Sequence, residues 1–311
     1  MLVETDAIIL RTIKYSETSV IAHIYTEQYG KGSYLMNGVR KNHSKMALFQ
    51  PMSIVHITAY RQKDPAQIHR IKDVSFVMVP TSIVSSVVKS TVALFVGEIT
   101  DKVFREEEHS SEIFDFIKSF VHALEFSEND YVNLHILYLL NLTRYLGVFP
   151  LDNYNSENQV FSILRSQFVP LDSEDGLLTI EQSSLFRKIL NVNGLTEKVS
   201  LTQQERQTLL SLLLLYYDVH ICKTETVKSL EILKMVFEFI VTAVCHEAYE
   251  FVGFLFYPSA ILCAGIFYLP FLVAFPVNTL FEKCGGYEIS VTDNDAVLRI
   301  FLHSEKAIIF M

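Results

Sequence analysis

Tryptophan is absent, cysteine does not occur before residue 222, and glycine and proline number only 11 and 8 in a chain of 311 residues. With half of the residues hydrophobic, this scarcity of chain-breaking residues excludes a fibrous or disordered protein. The four cysteines, Cys222, Cys245, Cys263 and Cys284, lie far apart without a C-x-x-C spacing. That pattern gives neither a zinc-ligand group nor a disulfide framework, and points to reduced thiols in a cytoplasmic protein. The N-terminal "MLVETDAIILRT" lacks the basic segment and apolar core of a secretory signal. Catalytic signatures are missing too, with no G-x-S-x-G, no phosphate-binding GxxxxGKS and no H-E-x-x-H. Asp6, Glu17 and Asp73, and the pair His246 and Glu247, form no compact acid/base or metal cluster in the sequence. No enzyme activity, cofactor or metal is expected.

Charge of one sign is unevenly spread. The formal net charge is -9, yet residues 1–80 carry ten Lys or Arg against six acids, a balance of +4, which leaves -13 for the remainder. Such a split gives the N-terminal part a polyanionic partner of its own. Its densest basic stretch is "NGVRKNHSK", Asn37 to Lys45, which has no acid.

The first 80 residues read as five strands, Ala7 to Ile13, Ser19 to Tyr25, Ser33 to Val39, Ser53 to Tyr60 and Gln67 to Val79, rich in β-branched and aromatic residues and separated by turn residues. Five short strands fit a small closed barrel of the OB type, with the basic stretch as the loop between strands three and four and Gly38 turning the chain at its start. From Pro80 the apolar spacing changes to three and four. Helices are predicted from Thr81 or Ser82 to Phe104, Ser111 to Phe126, Asp130 to Pro150, Thr202 to Val219 and Glu225 to Phe239, with 151–180 irregular. The fold class is therefore α+β, an N-terminal five-stranded OB-fold barrel (1–80) followed by a mainly α-helical domain (81–239) and a hydrophobic C-terminal extension (240–311). Within the extension, 251–281 has no charged residue and exceeds the ~20 apolar residues that span a bilayer. Pro258, Pro270 and Pro276 interrupt it, so membrane anchoring is not favoured over a packed element or a non-native extension. "FEKCGGYEISVTDNDAVLRIF" after it reads as a hairpin or as nothing stable.

"IILRTIKYSETSVIAHIYTEQYGKGSYLMNGVRK" (Ile8 to Lys41), "ALFQPMSIVHITAY" (Ala47 to Tyr60), "LHILYLLNLTRYLGVFP" (Leu134 to Pro150) and "VHICKTETVKSLEILKMVF" (Val219 to Phe237) occur in the order and spacing of RecO, the bacterial recombination-mediator family of the RecF pathway. The resemblance covers residues 1–239. It implies an OB-fold followed by a helical domain, binding of single- and double-stranded DNA, and annealing of complementary strands. It also implies contact with the C-terminal tail of single-stranded-DNA-binding protein, and work with RecR that helps RecA load, in the cytoplasm on the nucleoid. Many relatives carry a four-cysteine zinc element in the helical part, which this sequence lacks.

The residues that would hold DNA are cations, which neutralise phosphates and release counterions, and aromatics, whose faces stack on unpaired bases. The candidates are Arg11, Lys14 and Tyr15 at the end of strand one, and Lys31 and Tyr34 beside the next turn. Arg40, Lys41 and Lys45 follow in the basic loop, and Arg61, Lys63, Arg70 and Lys72 in the last hairpin. Tyr25, Tyr29 and Tyr60 read as barrel packing, and His43 as a loop histidine. On the helices, Lys89 and Arg144 are cations that could meet an acidic peptide tail, although a solvated helix face is the simpler reading. The alternative to a DNA-binding mediator is a membrane-associated adaptor with an OB-like domain and an apolar anchor at 251–281.

Overall fold

The computed structural model describes residues 1–237, apart from 42, 65, 66, 107, 108, 129, 174, 175, 193 and 196, together with 287–291 and 298–302. Two compact units divide it, Met1–Val236 and Phe237–Met311.

Five strands, β1 (Leu2–Lys14), β2 (Val20–Thr26), β3 (Gly30–Met36), β4 (Ile54–Tyr60) and β5 (His69–Met78), close into a barrel in the order β1-β2-β3-β5-β4. Neighbours run antiparallel except β3 and β5, which meet in parallel at Tyr34↔His69 and Leu35↔Arg70. This is the OB-type barrel that the strand count predicts. Alternation explains its interior: in β3, Gly30, Gly32, Tyr34 and Met36 are buried while Lys31, Ser33 and Leu35 between them are half-buried. The inward residues pack with Ile9, Ala22, Ile24, Val55 and Ile57. Val39, Leu48 and Phe49, from the β3–β4 connection, join the same core. That connection is not the open loop expected from its polar residues. Gly38 turns at φ +75°, and a 3-10 turn (Val39–Lys41) and helix α1 (His43–Ala47) follow, because burial of Val39 and Phe49 pins the segment onto the barrel.

The helical part holds α2 (Ser82–Ser85), α3 (Val87–Val103), α4 (Ser111–Phe126), α5 (Leu134–Tyr145), a small hairpin of β6 (Val160–Ser162) and β7 (Gln167–Val169), α6 (Ile180–Leu190), α7 (Gln203–His220) and helical turns over 229–237. The single helix predicted from residue 81 or 82 is broken at Ser86, an extended residue whose side chain accepts the Lys89 backbone N–H and starts α3. Helix α6, absent from the sequence reading, starts from a capping box between Thr179 and Gln182.

Helix α3 fastens the barrel to the rest. Ile8, Ile9 and Leu10 are all buried, so β1 is covered on both faces there, and α3 packs against it. Gly97 permits the approach: a Cβ at this position would lie 2.3 Å from the Leu10 carbonyl oxygen. At the next residue, the buried Glu98 carboxylate accepts from the backbone N–H of Lys228 (3.2 Å) and Ser229 (2.8 Å) and from Ser229 Oγ (2.7 Å), capping the turns over 229–237. Glu125 of α4 does the same for α2, accepting from the N–H groups of Thr81, Ser82 and Ile83 at 2.7–2.9 Å.

In the second unit, β8 (Tyr287–Val291) and β9 (Leu298–Leu302) pair as an antiparallel hairpin. The apolar stretch 251–281 lies outside the described residues, as do Cys245, Cys263 and Cys284. Among the described residues no helix is long and apolar enough to cross a membrane.

Candidate nucleic-acid interface

The barrel sorts the twelve sequence-derived residues into three groups. The first lies against α3 or in the barrel core, with the Arg11 side chain still 43% exposed. Asp101 of α3, with its side chain 7% exposed, gathers three barrel side chains: His23 Nδ1 at 2.9 and 3.1 Å from its two oxygens, Lys31 Nζ at 3.0 Å and Arg11 at 4.0 Å. Lys31 also donates to the carbonyls of Asp101 and Phe104. Its side chain, 12% exposed, is therefore spent on closing the end of α3, where a cation offsets the helix dipole. Burial alone would raise the Asp101 carboxyl, but the His23 hydrogen bond and the Lys31 charge outweigh it and hold the group below the usual carboxylate range. Tyr34 is a correction to the sequence reading, for it is 1% exposed and faces the barrel core. Burial pushes its hydroxyl pKa up against the opposing charge and hydrogen bond of Arg61, and its ring packs edge-on to His69 at 4.8 Å. Neither Lys31 nor Tyr34 presents itself to a ligand. Tyr25, fully buried, also packs in the protein, as expected.

A second group gathers at the C-terminal end of β1. Lys14, Tyr15, Arg40, Lys41 and Lys45 are exposed, Tyr15 to 61%. Two segments distant in sequence are tied together here. Arg40 Nη1 donates to the carbonyls of Ser16 (2.9 Å) and Glu17 (3.0 Å), and the Arg40 backbone N–H donates to the Thr18 carbonyl (3.1 Å). Ser19 Oγ donates to Asn37 Oδ1 (2.9 Å), and Thr12 Oγ1 to the Phe49 carbonyl (2.8 Å). The β1–β2 turn and the β3–β4 connection are thus held together, and between them they expose four cations and an aromatic ring beside the single acid Glu17. The His43 side chain lies outside the described residues.

The third group belongs to the β4–β5 hairpin, at the other end of β1, since Tyr60 pairs with Leu2. Lys63, Arg70 and Lys72 are exposed. Arg61 is not: its guanidinium lies 4.4 Å over the Tyr29 ring, its backbone N–H donates to the Met1 carbonyl, and it supports Tyr34. Tyr60, 46% exposed, was missed as a surface aromatic because its place in an alternating strand made it look like packing.

On the helices, Lys89 is neither solvated nor on a binding face. It is 4% exposed and donates to Ser82 Oγ (2.6 Å), the Ser127 carbonyl (2.6 Å) and the Glu125 carbonyl (3.2 Å). Desolvation lowers its pKa against the opposing pull of Glu125 and Glu128. Arg144 is exposed, its guanidinium 3.4 Å above the Phe149 ring, and it lines an open cavity of about 610 Å³ with His109, Ser110, Glu112, Ile113 and Tyr145.

Residues 1–78 match the family model described as Recombination protein O N terminal, and residues 84–160 the one described as Recombination protein O C terminal. A DNA repair protein RecO from Flavobacterium psychrophilum is 34% identical over 243 residues, a match spanning 76% of this chain and 100% of the relative. The chain belongs to the RecO family. Further RecO relatives, from Christiangramia forsetii (30% over 241 residues) and Bacteroides fragilis (29% over 245 residues), are likewise matched over 100% of their length by 76% of this chain. The barrel is the OB-fold of the RecO N-terminal module.

Proposed function

We propose that this RecO-family chain is a DNA-repair mediator that binds single- and double-stranded DNA on its barrel, promotes annealing of complementary strands and, with RecR, helps RecA load. It works by binding energy rather than by catalysis, on the nucleoid in the cytoplasm. The observation that carries the reading is the convergence, at one end of the barrel, of exposed Lys14, Arg40, Lys41 and Lys45 around the exposed Tyr15. Lysines at this spacing release counterions from a phosphate backbone, and an aromatic face stacks on a base without reading its identity. Lys63, Arg70 and Lys72 of the β4–β5 hairpin would extend the track toward the other end of β1. The acidic tail of single-stranded-DNA-binding protein is assigned to the Arg144 cavity. Support comes from the guanidinium beside an apolar Ile113 and the start of α4, where a carboxylate is favoured.

The test is salt-dependent binding of the full chain to a labelled single strand, beside the triple change Lys14→Ala, Lys41→Ala, Lys45→Ala. Each lost phosphate contact should flatten log K against log salt by about 0.7, so a slope shallower by about 2 is expected, with weaker binding. An unchanged slope would move the interface to the β4–β5 hairpin. A parent chain that fails to bind either single or double strands would overturn the reading.

A further inference from the structure

We infer that Arg40 is a positioning residue: it clamps the β1–β2 turn onto the β3–β4 connection and so holds Tyr15 in place among Lys14, Lys41 and Lys45. The inference rests on the DNA-binding reading above, and it assigns Arg40 a role different from that of the lysines around it.

Arg40 looks like one more phosphate ligand, being an exposed cation in a basic stretch. One of its terminal nitrogens is otherwise engaged. Both hydrogen bonds from Nη1 go to consecutive backbone carbonyls, of Ser16 and Glu17, across 24 and 23 residues of sequence. Its own backbone N–H reaches the next carbonyl, that of Thr18. Three successive carbonyls of one turn are thus taken by one residue of another segment. The guanidinium carries Nη1 out to both acceptors on a rigid plane, whereas an ammonium ends one bond shorter and has no fixed plane.

The turn it grips is already closed on itself. Tyr15 and Ser16 donate their backbone N–H to the Ser19 carbonyl at 3.2 and 3.3 Å, and Ser19 N–H donates to Ser16 Oγ at 3.1 Å. A closed turn moves as a body, so its place relative to the β3–β4 connection depends on the ties between them. Beyond the ladder that pairs Val20 with Met36, these are the Arg40 bonds and the Ser19–Asn37 bond. Lys14 is fixed at the end of β1 by its pairing with Val20, whereas Tyr15 opens the turn and follows its position. Lys41 is the next residue after the clamp. The acid nearest in sequence on the turn, Glu17, gives its backbone oxygen rather than its carboxylate, which leaves the guanidinium charge in place while its direction is set. Arg40 still adds to the local positive potential, but its specific work is geometric.

Two comparisons separate a positioning role from a phosphate contact. In a double-mutant cycle on the full chain, Arg40→Ala is expected to weaken single-strand binding about three- to tenfold, and to do so less than half as strongly once Tyr15→Ala is present, because the group it positions is then gone. Arg40→Lys, which keeps the charge, should lose most of what Arg40→Ala loses. Fully additive effects, or an Arg40→Lys protein that binds like the parent, would overturn the assignment. A DNA-free readout keeps the clamp testable by itself: amide hydrogen exchange at Tyr15, Ser16 and Ser19 should quicken in Arg40→Ala. Unchanged exchange would overturn the clamp, whereas failure of the parent to bind DNA strikes the functional reading and leaves this measurement to decide the clamp.

Discussion

Replacing Asp101 of α3 by alanine should cost more stability than any single carboxylate change on the barrel strands. The carboxylate is 7% exposed and is shared by Lys31, His23 and Arg11. Arg11, 43% exposed, would be resolvated at little cost on losing it. Lys31, 12% exposed, would not, and breaking one side of a buried pair costs ~3–5 kcal/mol because the remaining charge is stranded. Lys31 keeps its bond to the Phe104 carbonyl, so the lower end, ~3 kcal/mol, is the expected figure. With an m value of about 2–3 kcal/mol/M in urea, the midpoint of unfolding of the full chain, followed by far-UV circular dichroism, should fall by about 1–1.5 M. Adding Lys31→Met removes the stranded charge and should restore at least half of the shift. A midpoint within ~0.3 M of the parent, or a double variant no better than the single one, would refute the claim that α3 is latched to the barrel through this carboxylate.

Gly97→Ala should also destabilise the chain, since the new methyl meets the Leu10 carbonyl. Overpacking of ~1–3 kcal/mol exceeds or cancels the ~1 kcal/mol that alanine gains in a helix, so a raised melting temperature would contradict the close approach of α3 to β1. Acid should weaken the fold through Glu98, Asp101 and Glu125. Burial alone would raise each carboxyl, but hydrogen bonds and, for Asp101, neighbouring cations hold all three below the usual range. Their contribution is complete above the unfolded pKa of about 4 and is lost as pH falls through the lower folded values. The melting temperature should therefore drop more steeply below about pH 4 in the parent than in Glu125→Gln, and equal drops would argue against this account.

How much of this was legible in the sequence depends on the range of the interactions involved. The barrel strands were readable because alternation is local: Ala22 and Ile24 turn inward while Ile21 and His23 do not. Helix α4 was found with its bounds intact, since apolar spacing and the cap at Ser110 lie within one segment. Helix α6 escaped notice because its apolar side is sparse, although Thr179 and Gln182 carried a capping-box signal. Among the candidate site residues, Lys31 and Tyr34 stand three apart in one strand and face opposite ways. Nothing local reveals that Lys31 meets Asp101, seventy residues on, or that Lys89 is buried against the end of α4. Composition detects a cation, but only the packed chain determines whether an internal carboxylate or carbonyl has already claimed it.

The stretch from Gly97 to Asp101 also orders events in time. Its partners are the Leu10 backbone, His23 and Lys31 in the barrel, and Ser229, which lies 131 residues beyond Glu98. Contacts of such separation form late, after local turns and strands. During synthesis the barrel emerges first and carries an uncovered apolar strip at Ile8 and Leu10 until α3 follows it out. Glu98 then stays buried-in-waiting, an acid without its cap partners, until the chain has been extended past residue 229. The unit thus becomes complete only when its last helix begins.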